Sequence, residues 1–240
     1  MERHPFEYKD TIVTFLCERQ HLDTGIRSLM HSRNVLETYI QNHPVFHDTH
    51  VPYPLSAEDP EPVRTMIRET AKVGVGPMAS VAGAFAETAL RAMANAGADR
   101  AVVDNGGDIA FLIREPLRVG IYTGGSSIQN LALDVQPRQG VFGICTSSGT
   151  VGPSFSYGLA DAAMVVSENV TLADAAATAL GNRVREDGDL SACFDFMEAL
   201  PEIEGALVVF RDKISLWGEL PPLIRSEVNW DLITKGKKIE

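Results

Sequence analysis

Thr171-Leu-Ala-Asp-Ala-Ala-Ala-Thr-Ala-Leu-Gly-Asn182 follows an apolar run, Ala162-Ala-Met-Val-Val166, and reads as one short helix ending near Gly181. Asp174 and Thr178 stand four residues apart, which puts a carboxylate and a hydroxyl on one helix face. Around them the segment is almost all alanine, where a surface helix would carry long charged side chains. A bare face with one Asp and one Thr could seat a hard cation through oxygen ligands, a ligand's own oxygens completing the shell. A second reading stands beside it. Thr171 and Asp174 have the spacing of a capping box, so Asp174 could satisfy first-turn amides and Thr178 could bond back to its own turn.

The rest of the chain bounds the choice. Its 240 residues make one large domain or two small ones, with 45% hydrophobic residues to build a core. A formal charge of −11 argues against a nucleic-acid surface and against docking to an anionic membrane. The first residues are polar, no apolar run approaches a span, and a cytoplasmic protein is expected. Cys17, Cys145 and Cys193 are scattered without metal-binding spacing and read as buried thiols. All six histidines lie within the first 50 residues. Nucleophilic hydrolysis by Ser147 or Ser148 would have to borrow its base from there, which disfavours it. The cluster His43-Pro-Val-Phe-His47-Asp-Thr-His50 could be read as a metal site, but it lies beside Pro44 and Pro52 in an expected loop, where histidines are usually just solvated.

In chain order, Thr11–Cys17 reads as a strand, with a second short strand expected before Leu29. Val35, Leu36, Tyr39 and Ile40 have helical spacing, stopped by Pro44. Asp59 is expected to cap a helix opened by Pro60, with Val63, Met66 and Ile67 inward. Gly74-Val-Gly-Pro-Met-Ala-Ser80 is a tight turn into a long helix whose first two turns are mostly Ala and Gly. Something can approach that backbone closely, and its first amides would suit a phosphate; close packing on a sheet would use the same residues.

Ala101–Ile113 is two apolar strands joined at Asn105-Gly-Gly107, a hairpin signal. The turn explains the glycines better than Asp108, a charge beside apolar runs that asks for a partner. Arg118–Tyr122, Leu131–Val135 and Gly140–Cys145 continue as strands, and Thr146-Ser-Ser-Gly-Thr-Val-Gly-Pro153 as a hydroxyl-rich turn. Ala206–Phe210 and Ile214–Trp217 form a terminal hairpin, and residues 229–240 a charged tail.

Four of these segments, Gly76-Pro-Met-Ala-Ser80, Asn105-Gly-Gly-Asp-Ile109, Thr146-Ser-Ser-Gly149 and Ala173–Ala179, occur in the order and spacing of the ApbE superfamily. That superfamily contains the FMN transferases once called thiamine-biosynthesis lipoproteins. The chain resembles its uncharacterised branch of shorter proteins over roughly residues 10–220, with Val75-Gly-Pro-Met-Ala-Ser-Val-Ala-Gly83 as a specific signature. The resemblance implies an α+β fold of two intertwined lobes within residues 1–228. Each lobe is a variant T-fold, with helices packed on antiparallel sheets.

The resemblance also implies a site. Mg²⁺ would be held by Asp174, Thr178 and the carbonyl of Ala79, with FAD phosphates completing the shell. Gly76, Pro77, Asn105, Gly106, Gly107, Asp108, Thr146, Ser147, Ser148 and Gly149 would line the nucleotide pocket. Two departures bear on the chemistry. The transferases carry Lys in the segment matching Ser80, and a His-Ile-Ile-Asp-Pro-x-Thr-Gly segment where this chain has Pro153-Ser-Phe-Ser-Tyr-Gly-Leu-Ala-Asp161. Without that histidine, Asp108 and Asp161 are the bases left. The implied function is therefore Mg²⁺-dependent binding of FAD or a related nucleotide. The chemistry it implies is transfer of FMN to an acceptor protein or pyrophosphate cleavage; the alternative is a binding protein serving a client without turnover. The four motifs are expected to meet in one cleft between two antiparallel sheets.

Overall fold

A computed structural model describes residues 1–124, 126–149, 157–186 and 188–227. The tail at 229–240, and Thr150 to Ser156 of the hydroxyl-rich turn and the segment after it, lie outside the described residues.

The chain opens with a hairpin, β1 (Glu2–Tyr8) and β2 (Thr11–Cys17), and then enters one long helix, α1 (Arg19–Asn42). The strand expected before Leu29 is thus part of that helix. Leu22, Gly25, Leu29, Ser32, Leu36 and Tyr39 recur every three or four residues on its buried face. The small residues Gly25 and Ser32 hide the stripe from a hydropathy reading. A Cβ on Gly25 would come within 2.7 Å of the Met93 sulfur, so the helix packs at glycine distance there.

The histidine cluster also differs from the expected loop: Pro44–Asp48 is a short helix, α2, with Phe46 buried. Its proline sits in the first turn, where the missing N–H costs nothing. Helix α3 (Val63–Val73) starts after Pro62, and Asp59 is not its cap. The Asp59 carboxylate instead accepts from the Tyr39 hydroxyl at 2.9 Å and the Ser56 amide at 2.7 Å. Gly74, at φ 77°, ends α3 in the left-handed conformation. A 3-10 turn at Pro77–Ser80 leads into α4 (Val81–Asn95).

The remaining elements are β3 (Ala101–Asn105), β4 (Asp108–Leu112), β5 (Leu117–Ile121), β6 (Leu131–Val135), β7 (Phe142–Ser147) and β8 (Ala162–Ser167), then α5 (Val170–Gly181). A 3-10 stretch (Ser191–Ala199), the hairpin β9 (Ile203–Phe210) and β10 (Lys213–Gly218), and a short β11 (Leu223–Arg225) complete the described chain. An eight-stranded sheet runs β1-β2-β3-β4-β7-β8-β9-β10, and a three-stranded one β11-β6-β5. Every pairing is antiparallel.

Strand alternation assigns the two faces of the large sheet. Val103, Ala110, Cys145, Ala163 and Val208 point to a core shared with the helices. Val102, Phe111, Ile144, Met164 and Leu207 point the other way, onto Val119, Ile121, Leu133 and Val135 of the small sheet. The result is three layers, helices on sheet on sheet, and an α+β fold with helices packed on antiparallel sheets. Among the described residues no single helix is long and apolar enough to cross a membrane.

Candidate functional site

Helix α5 lies inside this assembly, against β7, β8, α4, α3 and the 3-10 turn at Pro77. Its alanines 173, 175, 176, 177 and 179 are fully buried. They are small because strands and helices crowd the helix, so the bare face suggested by the sequence is filled by protein. The cap differs as well. The N-cap is Asn169, whose side chain accepts from the Leu172 amide at 3.0 Å. The Thr171 amide and hydroxyl both go to Glu87, at 3.0 and 2.9 Å. Asp174 therefore has no capping role in its own helix.

Its carboxylate turns to α4 instead. Asp174 accepts from the Gly83 amide at 2.7 Å and also from the Ala82 amide. A Cβ on Gly83 would lie 2.7 Å from the Asp174 Cβ and 2.9 Å from the Val170 carbonyl oxygen. The small residues opening α4 thus admit the neighbouring helix, and amides proposed to seat a phosphate are engaged by Asp174. Asn105, on the helix-facing side of β3, adds a bond to the Ala82 carbonyl at 3.1 Å.

Asp108 comes to the same place from β4. Its Oδ1 accepts from the Thr146 amide at 3.3 Å, and the Asp174 charge acts directly on it. Burial, then repulsion from Asp174, pushes the Asp108 carboxyl well above the usual carboxylate range. Burial pushes Asp174 up to about 7 against the opposing pull of its two amides. Cys145, on β7, places its sulfur 3.5 Å from the Val170 carbonyl oxygen and within hydrogen-bonding reach of Asp108. Burial, followed by the two carboxylates, raises that thiol far above its normal pKa, which makes it an inert space-filler. All three cysteines are free and buried, as the sequence suggested.

The structure thus brings Asn105, Asp108, Thr146 and Asp174 together. They meet between the large sheet and its helices, whereas the small sheet covers the opposite face, so the expected cleft between two sheets is not where they converge. Other motif residues take their places around them. Ala79, Pro77 and Thr178 belong to the 3-10 turn and α5, which pack on each other, and Ala79 and Thr178 are partly exposed. Gly106 and Gly107 have φ of 71° and 106°, with open space where side chains would stand. Gly76 is fixed by packing: a Cβ there would sit 1.9 Å from the Thr49 carbonyl oxygen. Ser147 is buried beside Gly181, while Ser148 and Gly149 carry the strand outward. Asp161 is engaged elsewhere, accepting from the Arg211 amide at 2.6 Å in the turn between β9 and β10.

Sequence reasoning missed His50. Its ring meets the Tyr157 ring edge-on at 5.5 Å, and its Cα borders Gly76. Tyr157 in turn donates its amide to Asn182 Oδ1 at 2.8 Å, at the C-terminal end of α5. A histidine from the first 50 residues therefore reaches the segment that lacks one. The sequence held no local signal for it, because the approach of Thr49 and His50 to Gly76 is a tertiary contact.

A cavity of about 1050 Å³ opens beside the other end of α5, where Glu87, Asn169 and Thr171 line it. No residue of the glycine-bearing motifs lines it. Among the described residues, no group of three or more His, Cys, Asp or Glu side chains is arranged to hold a metal. A cation at Asp174 would draw on carbonyl, hydroxyl and ligand oxygens instead.

Comparison with known proteins agrees with this architecture. The chain is similar to solved flavin transferases ApbE from Vibrio cholerae (12% identity, TM-score 0.52, 90% of this chain and 96% of that one) and Pseudomonas stutzeri (12%, 0.55, 90% and 93%). It is similar to the ApbE protein of Thermotoga maritima at TM-score 0.53, 12% identity, over 98% of this chain and 99% of that one. At such identities these likenesses concern the fold. Much nearer in sequence are proteins named UPF0280 from Methanocella arvoryzae (46% identical, 96% of this chain and 94% of the relative) and Methanothrix thermoacetophila (48%, 98% and 100%). The profile of the family described as "AbpE bacteria" matches residues 7–192, and the chain belongs to that family.

Proposed function

We propose that this protein binds FAD or a related nucleotide together with Mg²⁺ at the Asp108–Asp174 centre. The observation that carries the reading is a pair of adjacent carboxylates, Asp174 buried and Asp108 half-buried beside it, bonded by backbone amides and a thiol. Two such groups repel each other, and a hard cation relieves that repulsion as no neutral ligand does. Asp174, Thr178 and the Ala79 carbonyl would hold the ion. Gly76, Pro77, Asn105–Asp108 and Thr146–Gly149 would border the nucleotide. Bound Mg²⁺ would supply neutralisation of phosphate charge.

The chain's own residues decide whether chemistry follows. FMN transfer to an acceptor threonine needs a group to take the hydroxyl proton as it attacks phosphorus. Asp161 is committed to the Arg211 amide, and Asp108 sits against Asp174. His50, which the fold lays beside Tyr157 and Gly76, is the imidazole that could take that proton. An enzyme of low turnover on a protein threonine is the reading this supports. The second reading, a cytoplasmic protein that holds a flavin nucleotide for a client, is favoured by the absent Lys at Ser80 and the diverged Pro153–Asp161 segment.

Titration with FAD in the presence and absence of Mg²⁺ tests the binding. Incubation with FAD, Mg²⁺ and a threonine acceptor peptide, followed for AMP and covalent flavin, separates the two readings. We expect Mg²⁺-dependent binding and slow transfer. No nucleotide binding under any condition overturns both.

A further inference from the structure

The two edges of the eight-stranded sheet are built differently. At one edge β1 is Glu2-Arg3-His4-Pro5-Phe6-Glu7-Tyr8. A proline and three charged residues blunt it against further pairing, the usual protection of an edge strand. At the other edge β10 is Lys213-Ile214-Ser215-Leu216-Trp217-Gly218, without proline and with its single charge at the end. Leu216 is 55% exposed and Ile214 37%, among the few large apolar side chains open to solvent.

Hairpin geometry fixes which backbone groups are open. Phe210 and Lys213 close the two-residue turn at Arg211-Asp212, so they exchange hydrogen bonds, and alternate residues 213, 215 and 217 face β9. The bond from the Glu219 amide to the Glu204 carbonyl continues the same parity. The amides and carbonyls of Ile214 and Leu216 therefore point outward, beside the two exposed side chains. Among the described residues no strand pairs with that side of β10, and an apolar strand with an open ladder is a template for another strand.

The occupant follows from charge and symmetry. At the turn end of the strand stand Lys213 and Arg211, with Asp212 between them and Arg211 also paired to Glu186, and Glu219 lies beyond the other end. An antiparallel second copy puts opposite charges together, whereas a parallel strand would align like with like. In the register that lets the outward groups bond, Ile214 faces Leu216 of the other copy, Ser215 lies on the two-fold axis, and Arg211 faces Glu219. We infer that β10 pairs with β10 of a second copy of this chain, joining two eight-stranded sheets into one continuous sheet across a two-fold axis.

The test is sedimentation velocity of the full chain over a concentration series, with Leu216→Lys as the variant and circular dichroism as the check on folding. Wild type should form a reversible dimer, and Leu216→Lys should raise its dissociation constant at least a hundredfold. Ser215→Cys should give a covalently linked dimer under mild oxidation, with wild type, whose cysteines are buried, as the control. A wild-type monomer at all concentrations overturns the inference, including the case where slow hydrogen exchange at Ile214 and Leu216 shows that another segment of the chain covers the edge. A dimer untouched by Leu216→Lys overturns it too. If Leu216→Lys fails to fold, the Ser215→Cys cross-link decides alone.

Discussion

The carboxylates gathered around the first turns of helix α5, its own Asp174 and those of the elements packed on it, are treated in opposite ways. At its N-terminus Glu69, whose side chain is 2% exposed, meets Arg68 at 2.7 Å and Lys72 at 2.8 Å and accepts from Asn169 at 2.9 Å. Glu87 meets Arg91 at 2.7 Å with one oxygen and holds Thr171 with the other. Cations offset those charges, and the carboxylates order the helix start. One turn on, Asp174 and Asp108 lie beside each other with amides as donors and, among the described residues, no cationic side chain bonded to either. Burying a charge is costly unless it is paired. The first group is therefore a structural clamp, and the second, where burial favours the protonated acid, is the site proposed for the cation.

The largest expected effect falls on the clamp. Glu69→Ala leaves Asn169 without its partner and loosens the cap, and breaking a buried ion pair costs about 3 kcal/mol. Urea unfolding should show that loss, while Mg²⁺-dependent FAD binding should stay within about twofold of wild type. Binding lost in step with stability would erase the distinction between the two groups.

The second effect is on pH and has the opposite sign from ordinary acid denaturation. Folding raises the Asp174 carboxyl from 3.8 to about 7, so between those values the folded state keeps a proton that the unfolded chain releases. The stabilisation is fully present below 3.8 and is lost as pH rises through about 7. In metal-free buffer, going from pH 5.5 to 7.5 should remove on the order of 2 kcal/mol. Asp174→Asn, which mimics the protonated acid, should flatten that slope. An equally steep slope in the variant would place its origin outside Asp174.

The third is smaller. At pH 7.5, Mg²⁺ at ten times its dissociation constant should stabilise wild type by about 1.4 kcal/mol through mass action. Asp174→Asn should gain nothing from the ion. A shift of equal size in both proteins would mean that the metal acts elsewhere on this acidic surface.

Much of this architecture was legible. The Asn-Gly-Gly turn, the apolar strands and the helix at Thr171–Gly181 are set by local chemistry, and four short motifs sufficed to mark the ApbE resemblance. What was hidden is non-local. Thr171 three residues before Asp174 is a fair capping box on spacing, but Glu87, 84 residues away, takes the threonine. The glycine at 83 signalled a close approach without saying that the visitor would be Asp174. His50 became a candidate only when folding laid the Thr49–His50 stretch across Gly76. Helix α1 was cut short because Gly25 and Ser32 serve as core residues by being small, and hydropathy does not register smallness.

Thr178 gives the smallest effect and the finest test of the comparison. It stands four residues after Asp174 on the same helical face and is partly exposed, so it contributes little to the core. Thr178→Val keeps the branched shape and removes the hydroxyl. If the hydroxyl only bonds back to its own turn, the change is nearly neutral or slightly stabilising, and ligand binding is untouched. If it is an oxygen ligand beside Asp174, stability again changes by less than about 0.5 kcal/mol. The Mg²⁺-dependent dissociation constant for FAD should then rise about tenfold, which is about 1.4 kcal/mol. Binding in EDTA should be equal for the two proteins, because the lost oxygen matters only when an ion is there to use it. Calorimetric titration of both proteins, with and without Mg²⁺, separates the readings: equal affinity in Mg²⁺ would return Thr178 to the helix and leave the two aspartates without their third oxygen.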